Sequence, residues 1–415
     1  MDLRDFFLIE NKREFLISVL FAIFILSYSL LIEFNNYKNL TKFDTNIVEA
    51  TVLKYYKKEN TKKILKLKAS RGFVFYTIVK KPLHIQKGTK IKMEIWTKKI
   101  NFYNYMSSFF TFSKIISVEQ NKTIKQKLNT YISTLHKDKN ITQIYQALYT
   151  ATPLNKEMQS KFSALGISHL IAISGFHLGI LVGFLYLILK PIYKLLQNKF
   201  FPYRNSDIDL FFISLFFLLF YMIFLDTPAS LLRAFSMLIV GFFIYIRGFR
   251  IISMQTLYIA SLILLSFFPR LFFSLGFWLS VAGVYYIYLF LLYFKTINKI
   301  YQFFLLPIWI YLMMLPHSLY IFKLFSNYHP LSIIWSILFS IFYPLSIFLH
   351  LIQWVDLLDN LLKYLINIQI TPKHTTIQWY IEILFLLLSL LAAYKKIFMW
   401  LLLGVSLFCF LNIYL

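Results

Sequence analysis

Ten stretches of this 415-residue chain are apolar, nearly free of charge and bounded by charged residues or Pro, and that repetition constrains the fold more than anything else. A hydrocarbon core about 30 Å thick takes roughly 20 helical residues to cross. The runs lie at 15–32, 170–189, 210–225, 229–246, 251–268, 271–294, 300–322, 330–352, 377–394 and 397–415. Several are short or contain Pro, so the expected fold is a polytopic α-helical membrane protein of about 9–11 spans. Composition agrees: 59% of residues are hydrophobic and 20% aromatic, with a mean hydropathy of +0.63, which excludes an ordinary soluble domain. Cys409 is the single cysteine, so an internal disulfide and a CxxC metal site are both excluded.

Charge placement sets the expected orientation. Lys12 and Arg13 precede the first run and no small-residue cleavage site follows it, so residues 1–32 read as an uncleaved anchor with its N-terminus inside. Lys190, Lys194, Lys199 and Arg204, then Arg247 and Arg250, then Lys295 and Lys299 fall in loops that this orientation places in the cytoplasm. The opposite loops, around Asp226 and around Pro269 and Arg270, are short and poor in charge. Residues 351–370 read as an amphipathic helix along the membrane surface, which leaves the side of the C-terminus open.

Between the first two runs lies the one sizeable polar segment. Residues 33–140 carry 23 Lys+Arg against 7 Asp+Glu, a net +16 of the whole chain's +25. The 35 Lys against 8 Arg suggest codon bias, but bias does not explain this concentration. Long domains translocate largely regardless of charge, so the segment is expected outside. Alternating apolar residues at 47–56, 62–69, 72–80, 90–96 and 114–119 predict five short strands, and hence a small OB-like barrel over 33–127. Lysines such as Lys66, Lys68 and Lys92 share one face, with Tyr55, Tyr56, Phe73, Phe75, Tyr76 and Trp96 among them. Phosphate neutralisation by Lys and base stacking on Tyr55, Tyr76 and Trp96 would hold a nucleic-acid strand. The same basic face would also suit anionic lipid headgroups. Residues 128–150 read as one helix, and Thr152-Pro153 as the N-cap and first-turn Pro of the next.

Polar groups within spans are costly and commonly functional, which singles out the stretch from Phe162 to Leu189. At about 100° per residue, one continuous helix would set His169, Ser174 and His177 on a polar side. Ala172, Gly175, Gly179 and Gly183 would then form a small-residue ridge opposite, a doubled GxxxG for close helix packing. A break at Ser174-Gly175 would instead mark a discontinuous helix beside a permeation path. The alternative is that both histidines only bond interhelical carbonyls. Asp226 is the one acid between Asp209 and Asp356, and Arg233, seven residues on, is a lone charge in an apolar run. The two share a helix face if the helix extends back to Asp226. Arg233 then reads either as a contact for a passing phosphate or as a paired or snorkelling side chain. Pro307 and Pro316 suggest a kinked helix, with His317 expected in an interhelical hydrogen bond.

Four blocks in order carry a family resemblance. Residues Phe162 to Gly166 with Ser168 to His177 resemble the signature of the ComEC family, the inner-membrane DNA channels of natural transformation. Pro228 to Ala234, Leu275 to Ser280 and Leu315 to Phe322 are similar to later blocks of that family. Phe176 stands where Leu is expected and Trp278 where Gln is usual. The resemblance covers roughly 143–352, and it implies a competence-type channel core over 166–353. Helices at 128–165 would precede that core, and an amphipathic segment with C-terminal spans at 354–415 would follow it. Many members of the family continue into a metallo-β-lactamase-like nuclease domain. This chain stops inside an apolar run and so reads as a short form.

The eight histidines, at 84, 136, 169, 177, 317, 329, 350 and 374, include no HxHxDH cluster, and no GxxxxGK motif occurs. The chain is therefore expected not to be an enzyme and to need no metal or cofactor. The expected activity is passage of single-stranded DNA across the cytoplasmic membrane, received by the basic domain. Expected partners are membrane lipid, a periplasmic DNA receptor, a separate nuclease and a cytoplasmic DNA-processing protein or helicase. Ser174, His177 and Arg233 are the leading path-lining candidates, with His169, Asp226 and His317 behind them. A small-molecule or lipid transporter and a polytopic envelope transferase are the competing classes. The transferase would want an acid beside Ser174 and His177 that the nearby sequence lacks.

Overall fold

A computed structural model of the protein describes residues 12–57, 63–79, 88–119, 124–225, 227–246, 253–371 and 373–414. The chain opens with α1 (Lys12–Thr41), β1 (Thr45–Lys57), β2 (Lys63–Ala69), β3 (Val74–Val79), β4 (Lys90–Trp96), α2 (Phe102–Met106), β5 (Phe109–Phe110) and β6 (Ser113–Val118). It continues through α3 (Ile124–Leu135), α4 (Lys139–Thr150), α5 (Lys156–Ala164), α6 (Ser168–Ile171), α7 (Gly175–Phe200), α8 (Ser206–Phe224), α9 (Ala229–Ile246) and α10 (Met254–Phe267). The remainder is α11 (Leu275–Phe294), α12 (Lys299–Phe322), β7 (Leu324–Phe325), α13 (Ser332–Leu351), α14 (Asp359–Asn367), β8 (Lys373–His374), α15 (Trp379–Ala392) and α16 (Lys396–Tyr414). Two compact units result, one of residues 7–131 and 258–275, the other mainly of 132–257 and 276–415.

In the first unit, α1 has 30 residues, about 45 Å at 1.5 Å per residue, so it outruns the apolar stretch that begins it. Its last turns carry Tyr37 and Leu40 into the core of the sheet. The sheet has the order β5-β3-β2-β1-β4-β6 and is mixed, antiparallel apart from the parallel β3–β5 pair. Alternation sorts its faces. Val48, Ala50, Val52, Leu65, Leu67, Phe73, Phe75, Ile91, Met93 and Ile95 are buried on one side. The expected closed OB-like barrel is corrected to an open six-stranded sheet, because β5 and β6 are separate edges. The corner Thr111–Phe112 joins those edges. Thr111 N–H donates to Tyr76 O at 2.9 Å, and its hydroxyl donates to Trp96 O at 2.6 Å. Two-residue β5 and five-residue α2 are too short to leave a periodic pattern, which is why alternation alone missed them.

A polar joint ties this unit together. Arg270, in the 3₁₀ turn after α10, pairs with Glu33 of α1 at 2.7 Å, and its guanidinium lies 4.7 Å from the Tyr105 ring centroid. Burial pushes the Tyr105 hydroxyl above the ordinary tyrosine pKa. Gly72, at φ +89°, lies against the same guanidinium.

In the second unit, α7 packs on α8, α9 and α13, while α12 packs on α13, α15 and α16. Leu178, Leu218, Met222, Leu231 and Phe235 fill the first group. Tyr286, Phe290, Trp309, Met313, Phe385 and Met399 fill the second. Outward-facing Phe216, Phe220, Leu387 and Leu390 are exposed, as side chains that meet lipid must be. The protein is a membrane protein with, among the described residues, seven helices long and apolar enough to cross a bilayer: α1, α7, α8, α11, α12, α13 with the turn before it, and α16. Of the expected 9–11 spans, seven stand out by length and composition among the described residues. The other three apolar runs also form helices, but their described apolar stretches are only Leu231–Phe243, Met254–Phe267 and Trp379–Ala392. α10 and α15, of 14 residues each, reach about 21 Å, short of a full crossing, whereas α9 has 18 residues and reaches about 27 Å.

Two local expectations also change. The single helix expected over 128–150 is broken at His136–Asp138, where Asp138 caps α4 by accepting from Asn140 N–H at 2.7 Å. The cap expected at Thr152-Pro153 moves to Asn155, whose Oδ1 accepts from Met158 N–H at 2.8 Å.

Candidate functional site

The stretch that stood out in sequence is built from three short events. First, α5 ends in a left-handed glycine. Gly166 has φ +73°, its N–H donates to Ser163 O at 3.0 Å, and Ile167 N–H donates to Phe162 O at 3.0 Å, a Schellman cap. A Cβ at Gly166 would lie 2.8 Å from the His329 ring, so the glycine is required by backbone and by packing alike. Second, α6 lasts one turn and stops at Ala172, which is extended. Third, α7 starts afresh at Gly175 with Ser174 as its N-cap.

The helix is therefore discontinuous, and the single-helix wheel fails. His169 belongs to α6, is exposed, and lies 3.4 Å from Ser336 Oγ, so it does not share a face with His177. Ser174 and His177 form a reciprocal capping box. Ser174 N–H donates to His177 Nδ1 at 3.2 Å, and Ser174 Oγ lies 3.1 Å from the same nitrogen while accepting from the backbone of His177. A backbone N–H can only donate, so Nδ1 is the lone-pair nitrogen and neutral His177 carries its hydrogen on Nε2. That Nε2–H is buried without a hydrogen bond of ordinary geometry among the described residues, the Leu170 carbonyl being the nearby acceptor that acts on the ring. The ring is fully buried and meets Phe339 and Tyr343 of α13 edge-on, at 5.0 and 4.9 Å between centroids. Tyr343 OH lies 3.5 Å from Tyr221 OH of α8, so α7, α8 and α13 converge at this point.

The glycine ridge does not pack as expected. Among the described residues, Gly175 alone of the three glycines meets a neighbour, its would-be Cβ lying 3.1 Å from Ala234 Cβ of α9. A Cβ at Gly179 or Gly183 meets nothing within 4 Å, and both positions are exposed. One turn past Ala229, Arg233 is 7% exposed and its Nε has no hydrogen-bond partner among the described residues. Asp226, its expected partner, lies outside the described residues, and so does the comparison of their faces.

His317 sits in a network that sequence reasoning half saw. Its Nδ1 bonds Glu382 Oε1 of α15, and its Nε2 lies 2.9 Å from Tyr286 OH of α11, which lies 2.9 Å from Ser389 Oγ. Trp309 Nε1–H donates to the Tyr286 carbonyl at 3.0 Å. Glu382 is 7% exposed, with Oε2 buried and unpartnered among the described residues. A lone acid inside the run 377–394 was the available signal for Glu382.

On the sheet, Lys66, Lys68 and Tyr76 lie on the outer face, opposite the buried core residues. Lys66 Nζ is 5.4 Å from the Tyr76 ring centroid. Lys92 and Trp96 are exposed on that same side of β4, but Glu49 pairs with Lys92 in register and offsets part of the charge. Phe73 and Phe75 fill the core instead. Tyr55 is in β1, its side chain outside the described residues.

No curated protein and no solved structure matches the chain. A family model described as Competence protein matches residues 151–414, from just before α5 to the end of α16. That match takes in the Ser174–His177 break, Arg233 and the His317–Glu382 pair, and it spans well over half of the sequence: the chain belongs to the competence protein family.

Proposed function

We propose that this protein passes single-stranded DNA across the cytoplasmic membrane during natural transformation. The observation that carries the proposal is the broken helix at Ser174, inside the part of the chain that matches the competence family. A strand with one charge per nucleotide cannot cross hydrocarbon and needs polar groups along its way. Discontinuous helices supply them, because a freed helix N-terminus directs N–H groups toward anionic ligands. The α7 N-terminus, Ser174, the Nε2–H of His177 and the guanidinium of Arg233 are donors suited to phosphate oxygens.

In this proposal the N-terminus lies inside, and the basic sheet lies outside and receives DNA on the face of Lys66, Lys68, Tyr76, Lys92 and Trp96. The chain acts as a conduit, not an enzyme. A periplasmic receptor delivers DNA, a separate nuclease removes the other strand, and a cytoplasmic helicase or DNA-processing protein draws the strand in.

The test follows labelled DNA in a deletion strain. Label is expected to reach the periplasm and stay out of the cytoplasm, with import restored by the intact gene. Normal cytoplasmic import in the deletion strain would falsify the proposal.

A further inference from the structure

Far from the helix break in sequence, the same unit holds a cluster that DNA passage does not use. His136 lies in the turn between α3 and α4 and is 4% exposed, while His350 lies near the end of α13. Asp359, 7% exposed, opens α14, and exposed Asp356 stands in the 3₁₀ turn before it.

Hydrogen bookkeeping makes this cluster unusual. His136 Nδ1 is 3.1 Å from Asp359 Oδ2, and His350 Nδ1 is 2.7 Å from the Ser346 carbonyl oxygen. An ionised carboxylate and a carbonyl only accept, so both imidazoles carry their hydrogen on Nδ1. Tyr149 OH is 3.1 Å from the same His350 nitrogen and does not alter that count. Both Nε2 atoms are then lone-pair acceptors, yet they face each other at 3.0 Å. Two acceptors do not hold that distance without a positive centre to share. Two imidazole nitrogens each about 2.1 Å from one ion stand about 3.4 Å apart at the tetrahedral angle and about 3.0 Å apart at about 90°, so the 3.0 Å spacing matches a six-coordinate ion and lies about 0.4 Å inside a tetrahedral one.

The surroundings point the same way. A metal-bound imidazole characteristically donates its second N–H to a carboxylate or a backbone carbonyl, and each ring here does one of the two. The Asp359 side chain is 10% exposed, and its Oδ1 has no hydrogen-bond partner among the described residues. A ring nitrogen of His136 and one carboxylate oxygen each of Asp356 and Asp359 lie within 4.8 Å of one another, so negative charge adjoins the pair. Tyr145 stacks on His136 at 4.5 Å and meets His350 edge-on at 4.5 Å, which shields the rings.

We propose that His136 Nε2 and His350 Nε2 bind one divalent transition-metal ion of the zinc class, with Asp359 orienting His136 and Asp356 and Asp359 balancing the charge. Imidazole nitrogen suits such ions and not Mg²⁺ or Ca²⁺. The remaining coordination positions take water. The ion ties the turn after α3 to the end of α13, positions 214 residues apart in the chain.

The experiment titrates chelator-stripped, full-length protein in detergent with Zn²⁺. One equivalent is expected to bind. Asp359→Asn is expected to weaken binding by about 10–100-fold, and His136→Ala and His350→Ala by more than that, while His374→Ala leaves it unchanged. If the alanine variants do not fold, the unmodified chain still answers, because Zn²⁺ raises its unfolding temperature and a chelator reverses the rise. Absence of saturable Zn²⁺ binding to folded protein overturns the proposal and leaves a shared proton between the rings. Retention of the ion by folded His350→Ala overturns the ligand assignment. Neither outcome involves DNA, so the proposal fails or stands independently of the transport function.

Discussion

Burying a hydrogen-bond donor without a good acceptor costs about 1–3 kcal/mol, and His177, whose ring packs edge-on against two aromatic rings, holds such a donor at Nε2. In the proposed function that donor serves the passing strand. His177→Phe keeps an aromatic ring but removes both the Nε2 donor and the Nδ1 acceptor of the capping box, so DNA import is expected to fall about tenfold or more, the scale of a lost buried polar contact. Membrane abundance, measured by immunoblot, is expected to stay unchanged. A parallel fall in abundance would return His177 to a packing role. The His317–Glu382 pair behaves differently, because both partners are buried and bonded to each other. Glu382→Ala leaves His317 Nδ1 without its partner and is expected to cost up to about 3–5 kcal/mol, read as a lower unfolding temperature in detergent. The double change His317→Leu with Glu382→Leu is expected to recover most of that loss, since an apolar pair needs no desolvation. His317 was legible as an interhelical bonding residue, but its partner was not. The two lie 65 residues apart, and only the packing of α12 against α15 brings them together.

At the scale of elements, apolar run length and strand alternation are local properties, and they located the helices and five of the six strands of the large sheet well. α9 occupies the run 229–246 and β4 the run 90–96 to the residue. Ends and interruptions depend on more than periodicity. The break between α6 and α7 lies inside one apolar run, because the Ser174–His177 capping box supplies the hydrogen bonds that a continuous helix would otherwise provide. The glycines separate into classes that spacing alone merges. Gly166→Ala forces a left-handed residue against His329 and is expected to destabilise by more than about 1 kcal/mol, with reduced abundance. Gly179→Ala and Gly183→Ala add a methyl group into open space within a helix and are expected to be neutral or stabilising by about 0.5–1 kcal/mol. Thermal unfolding in detergent compares the three. A large loss at Gly179 or Gly183 would place a second chain against that face.

For the whole molecule, net charge of +25 is informative only once apportioned. Residues 33–140 carry +16 of it, and Lys66, Lys68 and Lys92 lie on the outer face of an open sheet. The triple change Lys66→Glu, Lys68→Glu and Lys92→Glu in the full chain is expected to weaken single-stranded DNA binding. It is also expected to flatten the salt dependence by a slope of about 2, at about 0.7 per phosphate contact. Fluorescence anisotropy across a salt series measures both, and an unchanged slope would assign the basic face to lipid headgroups. By itself the sequence determined that this is a many-helix membrane protein with one basic, strand-rich segment, because burial pattern and run length are written residue by residue. It also held the motifs of the competence family. Only the tertiary structure decided that the sheet stays open, that seven helices among the described residues are long and apolar enough to cross, that the His177 ring packs edge-on against α13, and that His136 meets His350 and His317 meets Glu382. Those pairings join residues 65 to 214 positions apart, and they depend on helix register and crossing geometry, which no local pattern in the chain encodes.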